Sequence, residues 1–178
     1  MKDLNETNIQ NLEDLDLYEI IEKAKGFACT DFNFQELEEF KDINGALENL
    51  SNRKIAEYFY LYSFYIIGER FPVAESKIAK DPEYSYRYAI DVINGRFLEG
   101  ELAISKDSEF AYRYARDVIR DKFPEGEPAI AKDTVFIYRY ARDVIKGRFR
   151  EGELAILQSL YLAKFYAEKF DCPEILEN

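Results

Sequence analysis

Histidine is absent from the 178-residue chain, and cysteine occurs only as Cys29 and Cys172. Without an imidazole the chain cannot build a Ser-His-Asp triad, a Cys-His pair or most catalytic zinc sites. Two isolated cysteines make neither a disulfide framework nor a zinc cluster, and both read as plain thiols. Long apolar runs are missing too. The most lipophilic stretch, Tyr58 to Ile67, spans 10 residues and is rich in tyrosine. That is short of the roughly 20 residues a membrane-spanning helix needs. The opening residues MKDLNETNIQ lack a basic-then-apolar leader pattern. A cytoplasmic protein with no membrane attachment is expected, although a soluble domain of a longer secreted chain would read the same way.

Positive charge is scarce: 24 Lys and Arg face 35 Asp and Glu, a formal net charge of -11. The deficit is uneven. Residues 1–50 carry 4 basic and 13 acidic residues, a net of -9, which leaves only -2 for residues 51–178. A nucleic-acid binder usually shows a basic excess, so nucleic acid is not an expected partner. A nucleic-acid mimic would carry acidity over its whole working face, whereas here the signs interleave. No G-x-G-x-x-G, Walker-type loop, H-E-x-x-H or calcium loop occurs. No catalytic residue, cofactor-binding residue or metal ligand is therefore assigned, and no enzyme is expected.

What the chain does have is an internal repeat. Phe71, Phe97, Phe123 and Phe149 follow one another at a step of 26 residues. Ile78, Ile104, Ile130 and Ile156 keep the same step, as do Tyr88, Tyr114, Tyr140 and Tyr166, and Ala89, Ala115, Ala141 and Ala167. Asp81, Asp107 and Asp133 stand where a helix N-cap belongs, and Pro82 suits the first helical position. The spacing predicts a main helix over about 82–93, 108–119 and 134–145. Gly95 and Gly147 suit a left-handed residue after it, with Asp121 giving a different end in the middle unit. A shorter helix, or a 3-10 turn, is expected over 75–80, 101–106 and 127–132. Neither element is stable alone, so each unit must bury its apolar face on its neighbours. The fold class that follows is all-α: a short solenoid of stacked 26-residue two-helix repeats.

Helical periodicity sorts the main helix into two faces. Ser85, Tyr88, Ala89 and Val92, with their equivalents at 111, 114, 115 and 118 and at 137, 140, 141 and 144, form the core side. The repeat isoleucines and phenylalanines fill the rest. The other side carries Tyr86, Arg87, Tyr112, Arg113, Arg116, Tyr138, Arg139 and Arg142, which stacking would gather into one stripe. Arg87 and Asp91, Arg113 and Asp117, and Arg139 and Asp143 are spaced for i,i+4 ion pairs. Two readings of the stripe stand side by side. The tyrosines and arginines could tie neighbouring units together, or they could form a protein-binding face, since Tyr and Arg are favoured interface anchors. Glu75, Glu101, Glu127 and Glu153 recur once per unit. They read as first-turn acids of the short helix rather than as catalytic carboxylates, because a catalytic site is singular.

The ends depart from the pattern, as terminal repeats must. Residues 1–44 read as an acidic helical N-terminal cap, with a helix over 11–25 and another over 35–42. Residues 45–70 read as a degenerate unit with a helix over 51–67. Full units follow at about 71–96, 97–122 and 123–148, and a modified unit at 149–178. In that last unit the Asp-Pro cap is missing, so its two helices are expected to fuse, with Pro173 ending the helix and the final five residues frayed.

The segments E-G-E-P-A-I-A at 125–131 and Y-A-R-D-V-I at 114–119 and 140–145 resemble short acidic helical repeats of bacteriophage and bacterial proteins. That group implies no transferable activity. The I-A-x-D-P…R pattern at Asp81, Pro82 and Arg87 is more distantly similar to leucine-rich variant repeats. That resemblance implies alternating α and 3-10 helices in a right-handed superhelix. Together these readings point to a non-enzymatic protein-protein interaction module, possible kin to phage proteins, with an unidentified protein partner. The alternatives are nucleic-acid binding through the Tyr-Arg stripe and a structural, self-associating role.

Overall fold

The computed structural model describes residues 51–177. The expected cap over 1–44, Cys29 and the first residues of the 45–70 unit lie outside the described residues. Within them the fold is all-helical, a short solenoid of stacked two-helix units.

Each main helix starts at a side-chain cap. The Asp81 carboxylate accepts hydrogen bonds from the Glu83 and Tyr84 amides and starts α3, Pro82–Tyr88. Asp107 does the same for α5, Ser108–Tyr114, and Asp133 for α7, Thr134–Tyr140. Ser51 starts α1, Asn52–Tyr62. Such a cap is worth about 1 kcal/mol. The short elements are α2, Pro72–Ile78, and then α4, Glu101–Ile104, α6, Glu127–Ile130, and α8, Glu153–Ile156. Two of them are led in by 3-10 turns, Leu98–Gly100 and Arg150–Gly152.

The expected main helices have the right extent but not a uniform winding. Beyond Tyr88, Tyr114 and Tyr140 the chain widens into π turns, Ala89–Ile93, Ala115–Ile119 and Ala141–Ile145, and α1 likewise runs into Ser63–Ile67. Apolar periodicity over five residues does not separate an α turn from a π turn, so the sequence could not reveal this. The left-handed residue also falls one place earlier than expected. It is Asn94, Arg120 and Lys146, with φ of 52°, 60° and 56°, not the glycine or aspartate that follows. Only the first of these wide turns ends on a left-handed glycine, Gly68 at φ 73°. Gly95 and Gly147 instead donate their amides back to the Ala89 and Ala141 carbonyls.

Main helices pack on main helices of the adjacent units, and each short helix packs on the main helix before it. The π turns form a column of their own. The core is the one the repeat implied except at Val92, Val118 and Val144, which lie in the π turns and are only partly buried. Tyr88, Tyr114, Tyr140 and Tyr166 are fully buried, as are Ile78, Ile104, Ile130 and Ile156, and the repeat phenylalanines are at most 4% exposed. Burying each isoleucine or phenylalanine contributes roughly 1.5–3 kcal/mol. The glycines of the E-G-E segments serve close approach rather than capping. A Cβ added at Gly126 would sit 2.7 Å from the Ala111 Cβ, and one at Gly152 would sit 2.7 Å from Ile137 Cγ1.

The last unit corrects two expectations. Its helices do not fuse. Ser159 stands 26 residues after Asp133, accepts from the Leu162 amide and starts a separate helix α9, Leu160–Lys169. A serine caps as well as an aspartate, so the break survives the lost Asp-Pro. The expected fraying gives way, within the described residues, to a 3-10 turn over Pro173–Glu177, with Ile175 buried and Glu174 paired with Arg148. Cys172, the free cysteine among the described residues, is fully buried beneath it.

Gly126→Ala is expected to destabilise the protein by about 1–3 kcal/mol through overpacking. Adding Ala111→Gly should restore part of that loss, as read from urea midpoints of the two single variants and the double variant.

Candidate functional site

The tyrosines of the expected stripe are tied into the stack. The Tyr86 hydroxyl donates to Asp117 Oδ2 at 2.8 Å, and the Tyr112 hydroxyl to Asp143 Oδ2 at 2.7 Å. Tyr60 makes the equivalent bond to Asp91 at 2.7 Å. Each bond joins one unit to the next. Tyr112 is only 2% exposed and Tyr86 half-buried, so the tyrosines are not the open surface that helical periodicity suggested. Burial, then the bond to Asp117, pushes the Tyr86 phenol up to about 12. Tyr138 ends the ladder. The residue 31 places on is Lys169, and no hydrogen bond reaches its hydroxyl among the described residues.

The arginines keep the surface, each between 44% and 48% exposed for Arg87, Arg113, Arg116 and Arg142. Their partners differ from the expected ones. Arg87 pairs backwards with Glu83, and Arg113 with Glu109, both at 2.6 Å. Arg139 has Val135 at the corresponding place and lies over the Phe136 ring, 5.5 Å from its centre. The pairs Arg87–Asp91, Arg113–Asp117 and Arg139–Asp143 do not form. The aspartates lie in the π turns, where the next turn brings residue i+5 rather than i+4 alongside. They face the neighbouring tyrosine instead. Arg116 takes both oxygens of Asp117 at 2.6 and 2.7 Å, and Arg142 both of Asp143 at 2.6 and 2.8 Å. Arg142 outweighs burial and holds Asp143 below its ordinary value. At Asp117 burial opposes the shift, but Arg116 and Tyr86 outweigh it.

Between α3 and α5 this face opens into a groove of about 620 Å³ lined by both acidic and basic side chains, among them Glu83, Arg87, Asp91, Glu109 and Arg113. Among the described residues, no group of His, Cys, Asp and Glu is arranged to hold a metal ion, and no helix is long and apolar enough to cross a membrane.

A second network was present in the sequence but misread. The hydroxyls of Tyr88, Tyr114, Tyr140 and Tyr166 accept from the amides of Phe71, Phe97, Phe123 and Phe149 at 2.5–2.9 Å. They donate to Glu75, Glu101, Glu127 and Glu153. Arg70, Arg96 and Arg148 clamp Glu75, Glu101 and Glu153 through two bonds each. Lys122 replaces the arginine in the remaining unit. The glutamates sit in the first turn of the short helix, as expected, but their carboxylates serve the tyrosine rather than a cap. The shared step of Arg, Glu and Tyr was the signal available.

Protein-family models, curated proteins and solved structures give no match to this chain.

Burial raises the phenols of Tyr88, Tyr114, Tyr140 and Tyr166 well above their ordinary value near ~10. Their stabilisation is complete below that pH. Above it the unfolded chain releases phenolic protons that the folded chain retains, so stability falls as pH rises. Phenolate absorbance and far-ultraviolet dichroism should therefore change in one joint transition. Tyr114→Phe, which leaves the Phe97 amide without its acceptor, is expected to cost about 1–3 kcal/mol in a urea titration.

Proposed function

We propose that the chain is a non-enzymatic protein-interaction module that binds a protein partner through the arginine face of its main helices. The observation that supports this best is the groove between α3 and α5. It lies among Arg87 and Arg113, whose guanidinium groups are half-exposed, while the tyrosines beneath are already held by the neighbouring unit. A surface fixed in this way loses little side-chain freedom on binding, which favours affinity. Arg87, Arg113, Arg116 and Arg142 each have a carboxylate partner in the chain, which suits a protein surface of mixed charge better than a phosphate backbone. We place the protein in the cytoplasm. We relate it to the phage and bacterial helical repeats on its E-G-E-P-A-I-A and Y-A-R-D-V-I segments.

A second reading, self-association, has one observation of its own. Leu160, Tyr161 and Phe165 on α9 are 63%, 71% and 44% exposed at the end of the stack.

The test is affinity capture from the native host with the wild-type chain and with Arg87→Ala/Arg113→Ala/Arg139→Ala, followed by calorimetry with the purified partner. The variant should keep its urea midpoint, because exposed arginine pairs contribute only about 0–1 kcal/mol each. It should bind the partner at least about tenfold more weakly. Equal affinity in the folded variant removes the arginine-face reading. Concentration-dependent light scattering, lost in Tyr161→Glu, would favour self-association.

A further inference from the structure

One position of the ladder varies in a way that leaves a chemically specific gap. Residues 64, 90, 116 and 142 are Phe, Ile, Arg and Arg, each four places after a ladder tyrosine. Phe64 stacks on Tyr60, with ring centres 6.0 Å apart and planes 12° from parallel. The guanidinium of Arg116 lies 5.1 Å from the centre of the Tyr112 ring, and that of Arg142 lies 5.5 Å from the Tyr138 ring. Each arginine also grips the aspartate that follows it. Asp117 Oδ2 accepts from Tyr86 and from Arg116 together, so one carboxylate serves both donors.

In the second unit the tyrosine and the aspartate remain, but the arginine is Ile90. An isoleucine side chain ends about where an arginine δ-carbon would be. Asp91 is exposed and accepts only from Tyr60 among the described residues, with no cation paired to it. Among the described residues no cation lies over the Tyr86 ring either. The groove opens at this place, lined by Tyr86, Ile90 and Asp91; Glu83 and Glu109 at its sides are already paired with Arg87 and Arg113, which leaves Asp91 as its carboxylate without a cation among the described residues.

We propose that this groove takes an arginine side chain from the protein partner. Its guanidinium lies on the Tyr86 ring and pairs with Asp91, as Arg116 and Arg142 do within their own units. Arginine fits better than lysine, because its planar fork both stacks on a ring and binds a carboxylate through two bonds. The aromatic face adds a cation-π attraction. The biological role rests on the interaction-module reading, but the subsite can be tested apart from it.

The probe is the peptide acetyl-Ser-Gly-Arg-Gly-Ser-amide, titrated into the isotope-labelled full chain and followed by amide chemical shifts. Its lysine and citrulline analogues serve as comparisons. Saturable shifts centred on Tyr86, Ile90 and Asp91 are expected, with a dissociation constant on the order of 1 mM. The lysine peptide should bind several-fold more weakly and the citrulline peptide not at all. Ile90→Arg supplies the guanidinium from the chain itself and should abolish binding in a folded protein. Asp91→Asn, which keeps an acceptor for Tyr60, should weaken binding at least tenfold. Non-saturating shifts, equal binding of citrulline, or undiminished binding to either variant overturns the proposal. A partner that binds wild type and Ile90→Arg equally removes the arginine subsite and leaves the interaction reading standing. Peptide binding as expected, with no partner retained by the arginine face, does the reverse.

Discussion

The structure depends on a buried tyrosine hydroxyl that works in both directions. In each unit it accepts from a phenylalanine amide at the start of the short segment and donates to a glutamate of the short helix. The main helix is thereby joined to the segment that precedes it by 17 residues. A four-residue helix such as Glu101–Ile104 has almost no stability of its own. It holds because its isoleucine is sealed in the core and its glutamate is held by tyrosine and arginine. A phenylalanine in place of that tyrosine would fill the same space but leave the buried amide without its acceptor, and an unmet polar group in apolar surroundings is expensive.

Much of this was legible in the sequence because identical residues recurred at one step. Phe, Ile, Tyr and Ala at the shared positions identified the core, and Asp81, Asp107 and Asp133 identified the helix starts. The errors have physical causes. A fixed 3.6-residue period was applied through the π turns, which misassigned the partners of Arg87 and Arg113. Ser159 carries no Asp-Pro signature, yet it belongs to the wider class of side chains that can accept from a helix amide. Gly95 and Gly147 were given the left-handed position that Asn94 and Lys146 occupy, although such a conformation strains a residue with a Cβ. The tight contact behind Gly126 and Gly152 is set between units and has no local signature.

The candidate site shows the same division. Which residues formed the outer face could be read from periodicity, but which of them were free could not. The tyrosines turned out to join units, because the π turn aims each aspartate at the tyrosine of the unit before. The arginines then divide by their carboxylate: some answer a glutamate four places back, others the aspartate beside them. Small departures from the repeat, such as Val135 for a glutamate, Ile90 for an arginine and Lys122 for an arginine, therefore say more about the outer face than the repeat itself. Regularity explains the scaffold, and its exceptions mark where the surface differs.

Among the described residues, the side-chain bonds between units reach from a residue to one about 30 places away. Among the described residues these joints therefore link adjacent units. Residue 96 could be spliced to residue 123 and would meet the same chemistry it meets now, since Phe123 takes the place of Phe97. Such a chain can gain or lose whole units by unequal recombination without redesign of its caps. Its reach would then be set by copy number rather than by new folding information.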